Sequence, residues 1–142
     1  MNCVKTEIEQ FPWKESYRVG IAEIDSKHKL LAQTVSDLYF AVSAKERRND
    51  IARSLSRLVA VTRELFAAEE FLLRKAGYPH YLAHRMEHDA IAAAISRLQQ
   101  DLESGASVPD IETIHRISGW LTSHFLETDQ RYASYFRTVN IS

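Results

Sequence analysis

Tyr78-Pro79-His80-Tyr81-Leu82-Ala83-His84-Arg85-Met86-Glu87-His88 breaks one helix and opens another. Gly77 and Pro79 end the run before it, and from Tyr81 onward nothing opposes a helix. His84 and His88 are four apart, so on that helix they lie about 40° apart around the axis and can grip one ion from one face. The pair alone also fits two solvated polar side chains. Its meaning depends on what the other helices set opposite it.

Upstream, Ile51, Leu55, Leu58, Val59, Thr62, Leu65, Phe66, Glu69, Leu72 and Leu73 form one broad face of a helix over about 47–76, with Glu69 and Glu70 late in it. Before that, Asp25 or Ser26 can cap a helix over about 25–44 that carries Leu30, Leu31, Val35, Leu38, Tyr39 and Val42, with His28 in its first turn. Residues 1–22 read as an N-terminal arm whose Phe11, Pro12, Trp13 and Tyr17 pack across one end of the fold. Downstream, the third helix runs over about 81–103 to the loop Ser104-Gly105-Ala106-Ser107-Val108-Pro109. Asp110 then caps a fourth, over about 110–137, with Ile111, Ile114, Ile117, Trp120, Leu121, His124, Phe125 and Tyr132 along it. No strand-type alternation and no internal repeat occurs. The expected fold is all-α: an antiparallel up-down-up-down four-helix bundle with an N-terminal arm, forming a single domain over 1–142.

Composition sets the bounds. A chain of 142 residues, 45% hydrophobic and 26% charged, can bury one full core and is too short to favour two domains. Its net charge of -1 provides no long-range field for nucleic acid or an anionic membrane. No apolar run nears the roughly 18 residues a membrane span needs, and the first residues lack a signal-peptide core, which reads as a cytoplasmic protein. The one cysteine, Cys3, has no partner for an internal disulfide and reads as an incidental thiol.

With alternating helix directions, His28, Glu69, His84, His88, His124 and Asp129 fall near one end of the bundle, and every helix contributes. Imidazole suits iron, zinc or copper, while carboxylates favour iron and manganese and can bridge two ions. The set exceeds what one tetrahedral zinc needs and lacks the thiolates usual at structural zinc, so a dinuclear N/O site fits better. One spacing resists: five residues separate His124 from Asp129, about 140° on an α-helix, so Asp129 is expected to enter from the flank.

These residues closely resemble the bacterial hemerythrins, oxygen-binding proteins with a non-heme di-iron centre in a four-helix bundle. The resemblance runs over nearly the whole chain: Trp13; Val19-Gly20-Ile21-Ala22-Glu23-Ile24-Asp25-Ser26-Lys27-His28; Phe66-Ala67-Ala68-Glu69-Glu70; Tyr78-Pro79 through His88; and Trp120-Leu121-Thr122-Ser123-His124 with Asp129 and Tyr132 following. It implies two irons with an oxo or hydroxo bridge, dioxygen as the small ligand, Glu69 and Asp129 as bridging carboxylates, and His28, His84, His88 and His124 as ligands. The sequence names no reductase or signalling partner.

One position departs from that pattern. The family carries a histidine four residues before its bridging glutamate, and here Leu65 stands there. By the resemblance, one iron keeps His84, His88 and His124 plus both bridges, while the second keeps only His28 plus the bridges. Two consequences compete. Either the second metal binds with water or an exogenous ligand in the open position, favouring autoxidation, peroxide chemistry or anion binding, or the site becomes mononuclear. Glu64 and Glu70 are each turned about 100° from their inward neighbours and read as solvated.

Competing motifs carry less. His84-Arg85-Met86-Glu87-His88 fits the H-x-x-E-H of a class of zinc peptidases, but it lies in a bundle where four further candidate ligands already have roles. Glu112-Thr113-Ile114-His115 fits the Glu-x-x-His of ferritin-like proteins, which need two such pairs; only one occurs, and His115 reads as exposed. His80 reads as a surface residue, and Trp120, Phe125, Tyr132 and Phe136 as core. A bundle with satisfied buried histidines and no metal would bear the cost of burying four imidazoles and two carboxylates without an ion. Three function classes follow: an iron protein that binds, stores or senses dioxygen; a di-iron or mono-iron oxidase, peroxidase or nitric oxide handling enzyme; and a metal-poor scaffold.

Overall fold

A computed structural model describes residue 11 and residues 13–139; Cys3, Pro12 and the first ten residues of the expected arm lie outside them. The described chain is all-helical. After a short 3-10 turn at Glu15–Tyr17 come α1 (Ala22–Ser43), α2 (Arg48–Lys75), α3 (Tyr81–Glu103) and α4 (Ile111–Ser123). A five-residue π turn (His124–Thr128) joins α4 to α5 (Asp129–Thr138), and these three pieces form the fourth rod of the bundle. α1 packs on α2 and α4, and α3 packs on α2 and α4, which closes the ring of an antiparallel four-helix bundle.

Local chemistry sets the helix ends. α2 closes in a Schellman motif: the Tyr78 amide donates to the Leu73 carbonyl at 2.9 Å and the Gly77 amide to Arg74 at 3.1 Å. Gly77 sits at φ +67°, where a side chain would be strained. Asp110 caps α4 as expected, its carboxylate accepting from the Thr113 amide at 2.8 Å.

Asp25 behaves differently from its expected role as a cap. α1 already begins at Ala22, and the Asp25 carboxylate reaches back to accept from the amides of Val19 at 2.7 Å and Gly20 at 3.2 Å. It thereby ties the arm to the start of α1. An acidic side chain in a first turn satisfies amides upstream as readily as those of its own helix.

The core is continuous along the rods, with Leu31, Leu38, Leu55, Leu65, Leu73, Ile95, Leu121 and Phe125 all buried. At the site end the arm closes the bundle. Phe11 and Tyr17 are buried, with ring centroids 5.8 and 5.6 Å from Phe125, and Phe125 in turn lies 4.5 Å from the ring of His28. Among the described residues no helix is long and apolar enough to cross a membrane.

Candidate metal centre

The bundle brings all six expected residues together. α1 carries His28 and the last third of α2 carries Glu69. The second and third turns of α3 carry His84 and His88, the π turn starts at His124, and α5 starts at Asp129. All six are buried to within 2% of full enclosure. The π turn explains how His124 and Asp129 share a face. The Asp129 amide donates to the His124 carbonyl, an i→i+5 bond, so five residues make roughly one turn. Asp129 therefore arrives through a widened helix, and the expected approach from the flank is corrected.

The donor atoms converge. His84 Nε2 and His124 Nε2 each lie 3.1 Å from His88 Nε2. Asp129 Oδ1 is 2.9 Å from His124 Nε2 and 3.2 Å from His84 Nε2, and Glu69 Oε1 is 3.5 Å from His88 Nε2. One atom from each of Glu69, His84, His88, His124 and Asp129 lies within 4.8 Å of all the others. Metal–ligand bonds of about 2.1 Å set at right angles leave neighbouring donors about 3 Å apart, so this spacing suits an N/O-coordinated cation. His28 stands on the other side of the carboxylates. Its Nε2 is 3.1 Å from Asp129 Oδ2 and 3.7 Å from Glu69 Oε2. Asp129 thus turns one oxygen to the three-imidazole group and the other to His28.

The fit to a cation is tested by what the cluster leaves unsatisfied. His28 Nε2, both carboxylate oxygens of Glu69 and both of Asp129 are buried without an aligned hydrogen-bond partner, despite the short separations. Lone pairs directed at a common point, and not at each other's protons, are what ligands of one centre require. Orphaning so many buried polar atoms would otherwise be costly.

Two carboxylates hold the imidazoles from outside. Glu70 Oε2 lies 2.9 Å from His88 Nδ1, and Glu87 Oε1 lies 2.7 Å from His124 Nδ1. Thr128 Oγ1 donates to both Glu87 oxygens at 2.9 Å. Such partners fix the ring tautomer with Nε2 free to ligate. Phe66 stacks on the other face of His88 at 3.7 Å, its plane within 1° of the imidazole. The solvated role expected for Glu70 is thus corrected: its position 100° from Glu69 reaches around toward α3, the helix neighbouring α2. Glu87 and Thr128 carried no sequence signal as partners of His124, since that pairing crosses between rods. Glu64 does face solvent, paired with Lys27 at 2.9 Å.

Electrostatics follow from burial and pairing. Burial opposes charge on His28, yet the carboxylates of Asp129 and Glu69 outweigh it and carry the imidazole from 6.5 up to about 10. His124 rises to about 10 in the same way, burial being overcome by Asp129 and Glu87. Burial and the charge of Asp129 push Glu69 upward, but His28 and His88 prevail and bring it from 4.5 down to about 2. Asp129 is held well below the usual carboxylate range against burial, chiefly by His124. An entering cation therefore displaces protons from the imidazoles and needs none from the carboxylates.

Other expectations divide. Phe125, Tyr132 and Phe136 are core, but Trp120 is 44% exposed, because it lies on the outer side of α4 beside Ser123 and Glu87. His80 and His115 are exposed, and the His115 ring packs edge-on to Tyr39. Leu65 is fully buried, one turn before Glu69 on α2.

The chain matches the family model of the hemerythrin HHE cation binding domain over residues 19–136. It is similar to a bacteriohemerythrin of Pseudomonas aeruginosa, 31% identical over 125 residues that span 88% of this chain and 80% of that one. A myohemerythrin-1 of Phascolopsis gouldii is 29% identical, over 87% of this chain and 92% of its own length. Among solved structures, a wild-type hemerythrin superposes with a TM-score of 0.81 at 25% identity, covering 87% of this chain and 95% of that one. With the matched region enclosing every candidate ligand from His28 to Asp129, the chain belongs to the hemerythrin family, the non-heme iron, oxygen-binding proteins that its motifs resemble.

Proposed function

We propose that this protein binds dioxygen at a non-heme di-iron centre with two unequal positions, for storage or sensing. His84, His88 and His124 would hold one iron, His28 the other, and the carboxylates of Glu69 and Asp129 would join them. Iron in such a site supplies the electrons that make dioxygen binding possible. The chain's residues position the metals, exclude bulk water and set the imidazole tautomers. The observation that carries this reading is Asp129, with Oδ1 2.9 Å from His124 and Oδ2 3.1 Å from His28. A carboxylate so placed addresses two positions at once.

The inequality comes from Leu65. The first position draws five protein donors and the second only three, because the residue one turn before Glu69 is a buried aliphatic side chain. Protein produced with ample iron is expected to hold about two irons per chain, with near-ultraviolet absorption from a coupled pair. One iron or fewer would sink the di-iron reading and leave a mononuclear site. Leu65→His is expected to raise iron occupancy and lengthen the life of the oxygenated protein. The donor shortage beside His28 also favours a second reading, an oxidase, a peroxidase or a nitric oxide handling enzyme. Sustained consumption of peroxide with a reductant would select the peroxidase.

A further inference from the structure

The outer side of α3 holds large apolar side chains in an open position. Leu82 is 67% exposed and Met86 65%, and on neighbouring α4 Trp120 is 44% exposed. At 100° per residue Leu82, Met86 and Ala93 fall within about 40° of one another, on the side opposite the buried His84, His88 and Ile95. Bulky apolar groups gathered on one exposed face mark a surface that a partner covers.

The chemistry of the face describes that partner. Its first half is large, with Leu82 and Met86, and its second half is small, with Ala90 and Ala93 both exposed. The small half borders a recess of about 280 Å³ lined by Glu87, Ala90, Ile91, Trp120 and Ser123. On the flank away from this recess Arg85 and Asp89 stand about one turn apart, both exposed. Neither comes within 4.0 Å of an opposite charge among the described residues, and Arg85 acts on Glu70 only from beyond that distance. A two-fold axis perpendicular to such a helix turns it end for end and sets each flank against the same flank of its copy. Placed level with Glu87, the axis brings large side chains onto small ones and the cation onto the anion. The face is therefore complementary to itself in both size and charge.

We propose that two copies of this chain associate through this face, their α3 helices antiparallel about that axis. Leu82 of each copy covers Ala93 of the other, Met86 passes Ala90 and enters the recess beside Trp120, and Arg85 pairs with Asp89. A thioether against an indole adds a favourable sulfur–aromatic contact. The seam from Leu82 to Ala93 is about 17 Å long, short for a permanent dimer, so the association is reversible and follows concentration. Because the contact is isologous, it closes at two chains. It is independent of what the metal centre binds.

Sedimentation of the purified full chain over about a hundredfold range of concentration is expected to show the 16.3 kDa chain passing into a species of twice that mass. Met86→Glu is expected to weaken association about tenfold or more. Phe71→Glu, at a 58% exposed side chain on the outer side of α2, leaves it unchanged. The charge pair provides the decisive arm. Arg85→Glu and Asp89→Arg each set like charges across the axis and weaken association alone, whereas an equimolar mixture of the two variants restores it. Effects within one helix cannot produce recovery on mixing. A monomer at every concentration leaves the face to solvent or to another partner and overturns the proposal. Equal loss in the Phe71 and Met86 variants overturns it too, as does a mixture that fails to recover.

Discussion

At the scale of single residues, the centre depends on pairs that face each other across helices. Glu87 and Glu70 touch no candidate metal position, yet each fixes a ring that does. Glu87→Gln and Glu70→Gln are each expected to weaken metal binding by about 10–100-fold, read by competition with a chelator of known affinity. Glu64→Gln is the matched control, since among the described residues Glu64 pairs only with Lys27, at the surface. If the Glu87 variant held metal as tightly as the control, His124 would be oriented by packing alone. Glu69 and Glu70 show why sequence reads such residues unevenly. Helical phase assigns Glu69 inward, but the reach of Glu70 to His88 depends on how closely α3 runs beside α2.

At the scale of elements, the π turn decides the fourth rod. On a regular α-helix His124 and Asp129 diverge by about 140°, and the i→i+5 bond closes that gap. Deleting Leu126, which is 43% exposed, is expected to restore α geometry with the aspartate four residues after His124, about 40° away and on the same face. Metal content should then stay near the wild-type level while far-ultraviolet circular dichroism keeps its helical signal. Loss of iron with the helical signal intact would mean that the wide turn sets more than the direction of Asp129. The helix ends were legible beforehand where their chemistry is local: Gly77 with Pro79, and Asp110 with the Thr113 amide. Asp25 was not, because a carboxylate in a first turn can serve amides on either side, and the arm took it.

At the scale of the whole molecule, the bundle concentrates opposite charges in a dry interior, and stability without metal should follow pH accordingly. His28 and His124 have folded pKa values raised from 6.5 to about 10, so their contribution is full below pH 6.5 and is lost as pH rises toward 10. Glu69 is lowered from 4.5 to about 2, so its contribution is full above pH 4.5 and is lost as pH falls toward 2. Metal-free protein is therefore expected to have its highest Tm between about pH 4.5 and 6.5. Metal loading at neutral pH should release protons in an unbuffered titration. A Tm that climbs steadily from pH 6.5 to 10 would contradict the imidazolium pairs.

The sequence by itself determined the four rods, their alternation and the six residues that meet at one end of them. Hydrophobic period, turn residues and caps are properties of neighbours along the chain, and antiparallel rods bring His28, Glu69, His84, His88, His124 and Asp129 to one end. Only the tertiary structure decided the π turn that aims Asp129, the carboxylates that hold His88 and His124, and the outward place of Trp120. Each of these depends on distances between rods, where a side chain's partner is set by packing and not by its place in a helical repeat.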